Sequence, residues 1–197
     1  MHTIFETEAF VLKSSATGEA NKVLDILTKD FGFIRATAQG LRHLRSKLRY
    51  SLTDFSFVSI SLIRGREVWR VTTATKKGDT LSEIKSQESR ESLFRVFALL
   101  RRVLQGEESN HELFDTIVSF FLFLSENQKD LSKELLLSSE ELTVLRVLSL
   151  LGYIKDEKEF NNFLGNGSYS KNLLEEVGSK RKLIVTEINR ALQASHL

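Results

Sequence analysis

Cysteine and proline are both absent from this 197-residue chain, and tryptophan and methionine occur once each. Without thiols there can be no disulfide and no thiolate metal site, so the compact secreted scaffolds that depend on them are excluded. Without proline, every turn and helix end must be made by Gly, Asn, Asp or Ser. Long apolar runs are missing as well. Even the longest, such as Phe120–Leu124, have five residues, against about 20 for a membrane-spanning helix. The N-terminal MHTIFETEAFVL carries acids where a secretory leader has basic residues, and has no small-residue cleavage site, so it reads as folded sequence. A cytoplasmic protein with no membrane segment is the expectation.

Catalytic signatures are equally scarce. His2, His43, His111 and His196 are far apart, and none stands in an HxH or HxxxH arrangement with a carboxylate. Neither GxxxxGK[ST] nor GxGxxG occurs, and there is no nucleophile elbow. The adjacent acids Glu107-Glu108, Glu140-Glu141 and Glu175-Glu176 would point about 100° apart on a helix. That geometry suits interaction with an N-terminal helix dipole better than paired acid–base chemistry. The chain is therefore expected to be neither an enzyme nor a cofactor protein.

Hydrophobic residues make up 41% and charged residues 27%, ordinary values for a globular chain long enough to hold two small cores. The net charge of +2 hides an asymmetry: residues 1–80 have 13 Lys and Arg against 8 Asp and Glu, and residues 81–197 have 15 against 18. The positive half is also the half with strand-like periodicity. Thr3–Lys13, Val23–Thr28, Phe33–Ala38, Ser51–Ile63 and Glu67–Thr75 are β-branched or alternating runs. The turn Lys29-Asp30-Phe31-Gly32 lets Gly32 take a positive φ, and Arg64-Gly65-Arg66 joins the last two runs. Five strands in so short a span fit an OB-type barrel.

From Arg35 to Arg49 the chain carries Arg35, Arg42, Arg45, Lys47 and Arg49, with His43, and no acid. A phosphate backbone is the natural partner for such a run. On a barrel of this kind, Lys22 and Lys29 are expected near the same face. Phe31, Phe33 and Tyr50 could stack a base, although alternating Phe is more commonly barrel core, and Trp69 is expected in the barrel interior or against the helical part.

Beyond residue 80 the apolar period lengthens to that of a helix. Leu93, Val96, Phe97, Leu100 and Val103 trace one stripe, and Phe114, Ile117, Phe121 and Leu124 a second. Ser109–Glu112 and Ser138–Glu141 read as capping boxes, the latter opening a helix over Leu142–Leu151 that Gly152 stops. Gly165-Asn166-Gly167 is a loop within the polar stretch Lys155–Ser170. Ile184, Ile188, Ala191 and Leu192 mark a last amphipathic helix. The expected class is α+β: an OB-type five-stranded barrel over residues 1–79, a linker at Lys76–Asp79, and an α-helical domain over residues 80–197.

Gly18-Glu19, Asn21-Lys22, Leu27-Thr28, Gly32, Gly40, Arg42, Arg45-Ser46-Lys47, and Leu52 with Phe55 resemble, in order and spacing, the N-terminal domain of the RecO family of recombination mediators. Leu145–Tyr153, reading LRVLSLLGY, resembles the Gly-Tyr helix of that family's C-terminal domain. The resemblance implies a DNA-binding protein of repair and recombination. Such a protein binds single- and double-stranded DNA without sequence preference, anneals complementary strands and assists recombinase loading. It implies RecR and the C-terminal tail of single-strand binding protein as partners. Many members hold zinc through cysteines that follow the Gly-Tyr segment. This chain has none, so metal binding is not carried over, and Gln39 stands where a basic residue is more usual. The DNA-binding residues expected are Lys22, Arg35, Arg42, Arg45, Lys47 and Arg49. For a partner's acidic, apolar-ended tail the candidates are Arg101-Arg102 and Lys180-Arg181-Lys182. The alternative is a protein-binding adaptor whose barrel does not touch DNA.

Overall fold

A computed structural model describes residues 3–43, 45–66, 68–127, 131–154, 157–165 and 167–194. His2, His196, Glu67, Lys155 and Asn166, named above, lie outside them. The chain divides into two compact units, one of Met1–Glu83 with Leu104–His111, the other of Ile84–Val103 with Glu112–Leu197.

In the first unit, β1 (Ile4–Thr17), β2 (Asn21–Thr28), β3 (Gly32–Ala38), β4 (Ser56–Arg64) and β5 (Trp69–Asp79) close into a barrel in the order β1-β2-β3-β5-β4. This is the OB-type α+β arrangement expected. Every ladder is antiparallel except the short β3–β5 pairing, Ala36 with Trp69 and Thr37 with Arg70, which closes the ring. β1 pairs with β4 along Ile4–Phe10 and with β2 along Ala9–Thr17, and its register shifts between Val11 and Lys13. An irregularity of this kind bends one long strand so that it can serve both neighbours. Alternating residues fill the interior: Leu24, Ile26, Ile34, Val58, Ile60, Leu62, Trp69 and Val71 are all buried.

Two boundaries differ from expectation. β4 begins at Ser56, not Ser51, because Leu48–Ser51 forms a single helical turn, α1. Leu52 then drops into the core, and the Ser56 hydroxyl donates to the carbonyls of Ser51 (2.9 Å) and Thr53 (2.7 Å). Phe55 adopts φ 67°, held there by its N–H donating to Val11 and its carbonyl accepting from Thr80. The expected linker Lys76–Asp79 is instead the end of β5, paired with Ser56–Val58. Its polarity reflects a solvent-facing strand, since Lys76 and Lys77 bond Asp79 and Glu8. The first unit runs on through α2 (Thr80–Glu83).

Residues Leu104–His111 return to this unit and lie against the β2–β3 turn. Trp69 Nε1 donates to Glu107 at 3.0 Å, and Arg64 pairs with Glu107 at 2.9 Å. Gly32, at φ 65°, sits so close to the Glu108 backbone that a Cβ there would meet its carbonyl oxygen at 2.1 Å. This glycine therefore serves both the turn and the close approach.

The second unit is built on α3 (Gln87–Val103), α4 (His111–Glu126, whose first residue belongs to the barrel unit), α5 (Lys133–Leu150), α6 (Glu157–Leu164), α7 (Lys171–Ser179) and α8 (Arg181–Ala194). Helix α5 packs against α3, α6, α7 and α8. The expected stripes on α3 and α4 are buried. The Ser138–Glu141 capping box is not a helix start. The cap lies six residues earlier, at Ser132, whose Oγ accepts from Leu135 N at 3.3 Å. Ser138 and Ser139 lie inside this helix, where Ser139 returns its hydroxyl to the Leu136 carbonyl and Ser138 accepts from Arg181. A serine-glutamate pattern reads as a cap only where the preceding residues are not helical, and Leu135-Leu136-Leu137 continues the helix backwards. Gly152 ends α5 as expected, at φ 76°, with its N–H bonding Ser149 and that of Tyr153 bonding Leu148. Arg146, only 3% exposed, donates to the carbonyls of Phe163 (2.8 Å) and Ser168 (3.3 Å) and lies over the Tyr169 ring. Burial pulls its pKa below the usual guanidinium range.

Candidate nucleic-acid interface

The basic run occupies the connection between β3 and β4, and the backbone fixes where it goes. After Ala38 the chain turns at Gly40, φ 64°, whose N–H donates to Asn21 Oδ1 at 2.9 Å. Arg42 N–H donates to the Ala20 carbonyl at 3.0 Å, and its guanidinium to the Gly18 carbonyl at 3.0 Å. The β1–β2 turn and the β3–β4 loop are thereby tied together. Leu41 and Leu52 are buried in the barrel core and Leu48 packs against it. Leu48 and Leu52 share one face of a helical turn, so Arg49 and Tyr50 between them must point outward, and both are exposed.

Lys22, Arg42 and Arg49 line one cleft of about 550 Å³, floored by Leu41 and Leu52 and flanked by Ser14 and Asp54. The polar side is ordered: Lys22 Nζ donates to Ser14 Oγ at 2.9 Å, and Ser14 in turn donates to Asp54. Arg45 and Lys47 are exposed on the same loop. Among the described residues the side chains of Arg45, Lys47 and Arg49 have no hydrogen-bond or ion-pair partner. The charge of these three cations is not offset by any of the described residues, and Lys22 bonds a neutral hydroxyl.

Arg35 is placed differently. It faces Asp25 across the β2–β3 ladder and pairs with it at 3.2 Å, while remaining 69% exposed. Lys29 lies at the opposite end of β2 from Lys22, about 23 Å away at a strand's rise per residue, and does not join the cleft. Phe31 packs edge-on against Phe5 and tilted against Trp69, so it belongs to the barrel. Asp54 and Ser14 carry no signal of a site in the sequence. Their local context, polar residues in strand ends and turns, carries no signal until the loop is folded over them.

No helix among the described residues is long and apolar enough to cross a membrane. The chain has no cysteine, and no cluster of three or more metal-ligating side chains occurs among the described residues. The donor set does not fit a zinc site.

Residues 1–92 match the model of the family described as Recombination protein O N terminal. This span covers the whole barrel with its basic loop. Over its N-terminal part the chain is similar to the RecO family. Among similar proteins, the DNA repair protein RecO of Dehalococcoides mccartyi is 30% identical over 115 residues, covering 58% of this chain and 46% of the relative. That of Thermodesulfovibrio yellowstonii is 29% identical over 160 residues, covering 78% and 60%. That of Clostridium novyi is 28% identical over 145 residues, covering 73% and 56%. These alignments with the curated relatives span 46% to 60% of the relatives' own length.

Proposed function

We propose that this chain is a member of the RecO family and acts as a non-catalytic DNA-binding protein of repair and recombination in the cytoplasm. It binds single and double strands without sequence preference. The observation that supports this reading is the β3–β4 loop, which holds Arg45, Lys47 and Arg49 exposed and unpaired beside the cleft of Lys22 and Arg42. Cations of this kind bind phosphates by releasing counterions and read no base edges. Arg35 adds to the positive field, its charge already offset by Asp25.

A surface that neutralises phosphates regardless of sequence can hold two strands at once and lower their mutual repulsion, which is the physical basis for strand annealing. Recombinase loading, with RecR and the single-strand binding protein's tail as partners, is the wider role we propose from the resemblance to the RecO family.

The test is fluorescence anisotropy of a labelled single-stranded oligonucleotide between 50 and 200 mM salt. Contact with about five phosphates gives a log–log slope near −3.5 and a loss of roughly a hundredfold. Arg42→Glu with Arg45→Glu should abolish binding with the far-UV spectrum unchanged. No binding by the wild type at low salt would replace this reading with the adaptor, whose barrel does not touch DNA.

A further inference from the structure

Tyr50 is the most exposed aromatic side chain in the barrel unit. Its relative exposure is 74%, and among the described residues it has no ring contact and no hydrogen bond. A single exposed apolar group is ordinary on a protein surface. Two features set this one apart. Its backbone is held: α1 is pinned from below by Leu48 and Leu52, and Leu52 N–H donates to the Leu48 carbonyl at 2.9 Å. Its neighbours are the unpaired cations Lys47 and Arg49 in the sequence KLRYSL, with Arg49 reaching the cleft of Lys22 and Arg42. A ring on a fixed stem, with two side-chain torsions and nothing to pack against, lies where a phosphate chain would run.

We propose that Tyr50 is a base-stacking platform that makes this interface favour single-stranded over double-stranded DNA, an inference that rests on the DNA-binding reading above. The cations meet phosphates in either form. A base in a duplex is already stacked on both faces and has none to offer, whereas an unpaired base can leave its neighbours and lie on the phenol ring. Tyr50 thus acts on one substrate form and the loop cations on both. Phe31 cannot share the role, being engaged with Phe5 and Trp69.

The experiment compares the full-length wild type with Tyr50→Ala, Tyr50→Phe and Tyr50→Trp, using a single-stranded oligonucleotide and a duplex of the same length at two salt concentrations. Tyr50→Ala should weaken single-strand binding roughly five- to hundredfold, the loss of one base stack. Duplex affinity and the salt slope should stay as in the wild type, because no phosphate contact is removed. Tyr50→Phe and Tyr50→Trp should retain single-strand affinity, since the ring is what binds. If Tyr50→Ala leaves single-strand binding unchanged, or weakens both forms equally, the platform is wrong while DNA binding stands. If the wild type binds neither form, both readings fall together.

Discussion

Gly32 and Gly18 show how two residues of one type in one conformation can have different roles. Both lie at positive φ, 65° and 59°. A side chain at Gly18 would meet nothing within 4 Å, whereas one at Gly32 would run into the Glu108 backbone. Gly18→Ala should therefore cost only the left-handed backbone term, about 1–2 kcal/mol. Gly32→Ala adds displacement of the 104–111 segment, and about 3 kcal/mol or more in total is expected. Urea denaturation followed by Trp69, the chain's single tryptophan, measures both, and equal costs would mean that Glu108 does not rest on Gly32. The sequence pattern predicted a turn glycine at 32, and the second constraint could not be read there because Glu108 is 76 positions away along the chain. The same holds for charge. Arg35 and Arg49 look equivalent in the acid-free run, yet Arg35 faces Asp25 across a ladder and Arg49 faces the cleft.

Helix α5 begins away from its sequence signal and ends on it. Gly152 is a local signal, a residue that takes positive φ where others pay for it, and it marks the helix end in the structure as in the sequence. The Ser138–Glu141 pattern has the same local form as the true cap at Ser132. What separates them is that the helix continues through Leu135–Leu137 and that Ser138 and Ser139 are buried against neighbours. Ser132→Ala should cost about 1 kcal/mol through loss of the cap. Amide exchange at Leu135 should quicken in Ser132→Ala and not in Ser138→Ala, which removes an acceptor from Arg181 and leaves the cap in place. Faster exchange in both variants would return the helix start to Ser138. Strand β4 teaches the same lesson, since Ser51 closes the helical turn Leu48–Ser51 and Leu52 drops into the core before the strand begins at Ser56.

Across the whole molecule, the division of the chain is not a single cut. The barrel unit takes back Leu104–His111 after α3 has begun the helical unit. Trp69 and Arg64 both use Glu107 from that returning segment. A fragment of residues 1–83 lacks it, so its Trp69 emission should shift to the red and its barrel should unfold at lower urea than in the full chain. Unchanged emission would mean that the returning segment contributes nothing to the barrel.

Alternation of apolar residues, turn glycines and an acid-free basic loop were sufficient for the barrel, its five strands and the loop that bears the cations. Those signals act between near neighbours and survive in the primary order. Which cations are free, where β4 and α5 begin, and how the barrel recruits residues 104–111 depend on partners brought together by folding. Asp25, Asp54 and Glu107 acquire their roles through distances of about 3 Å across sequence separations that no periodicity records.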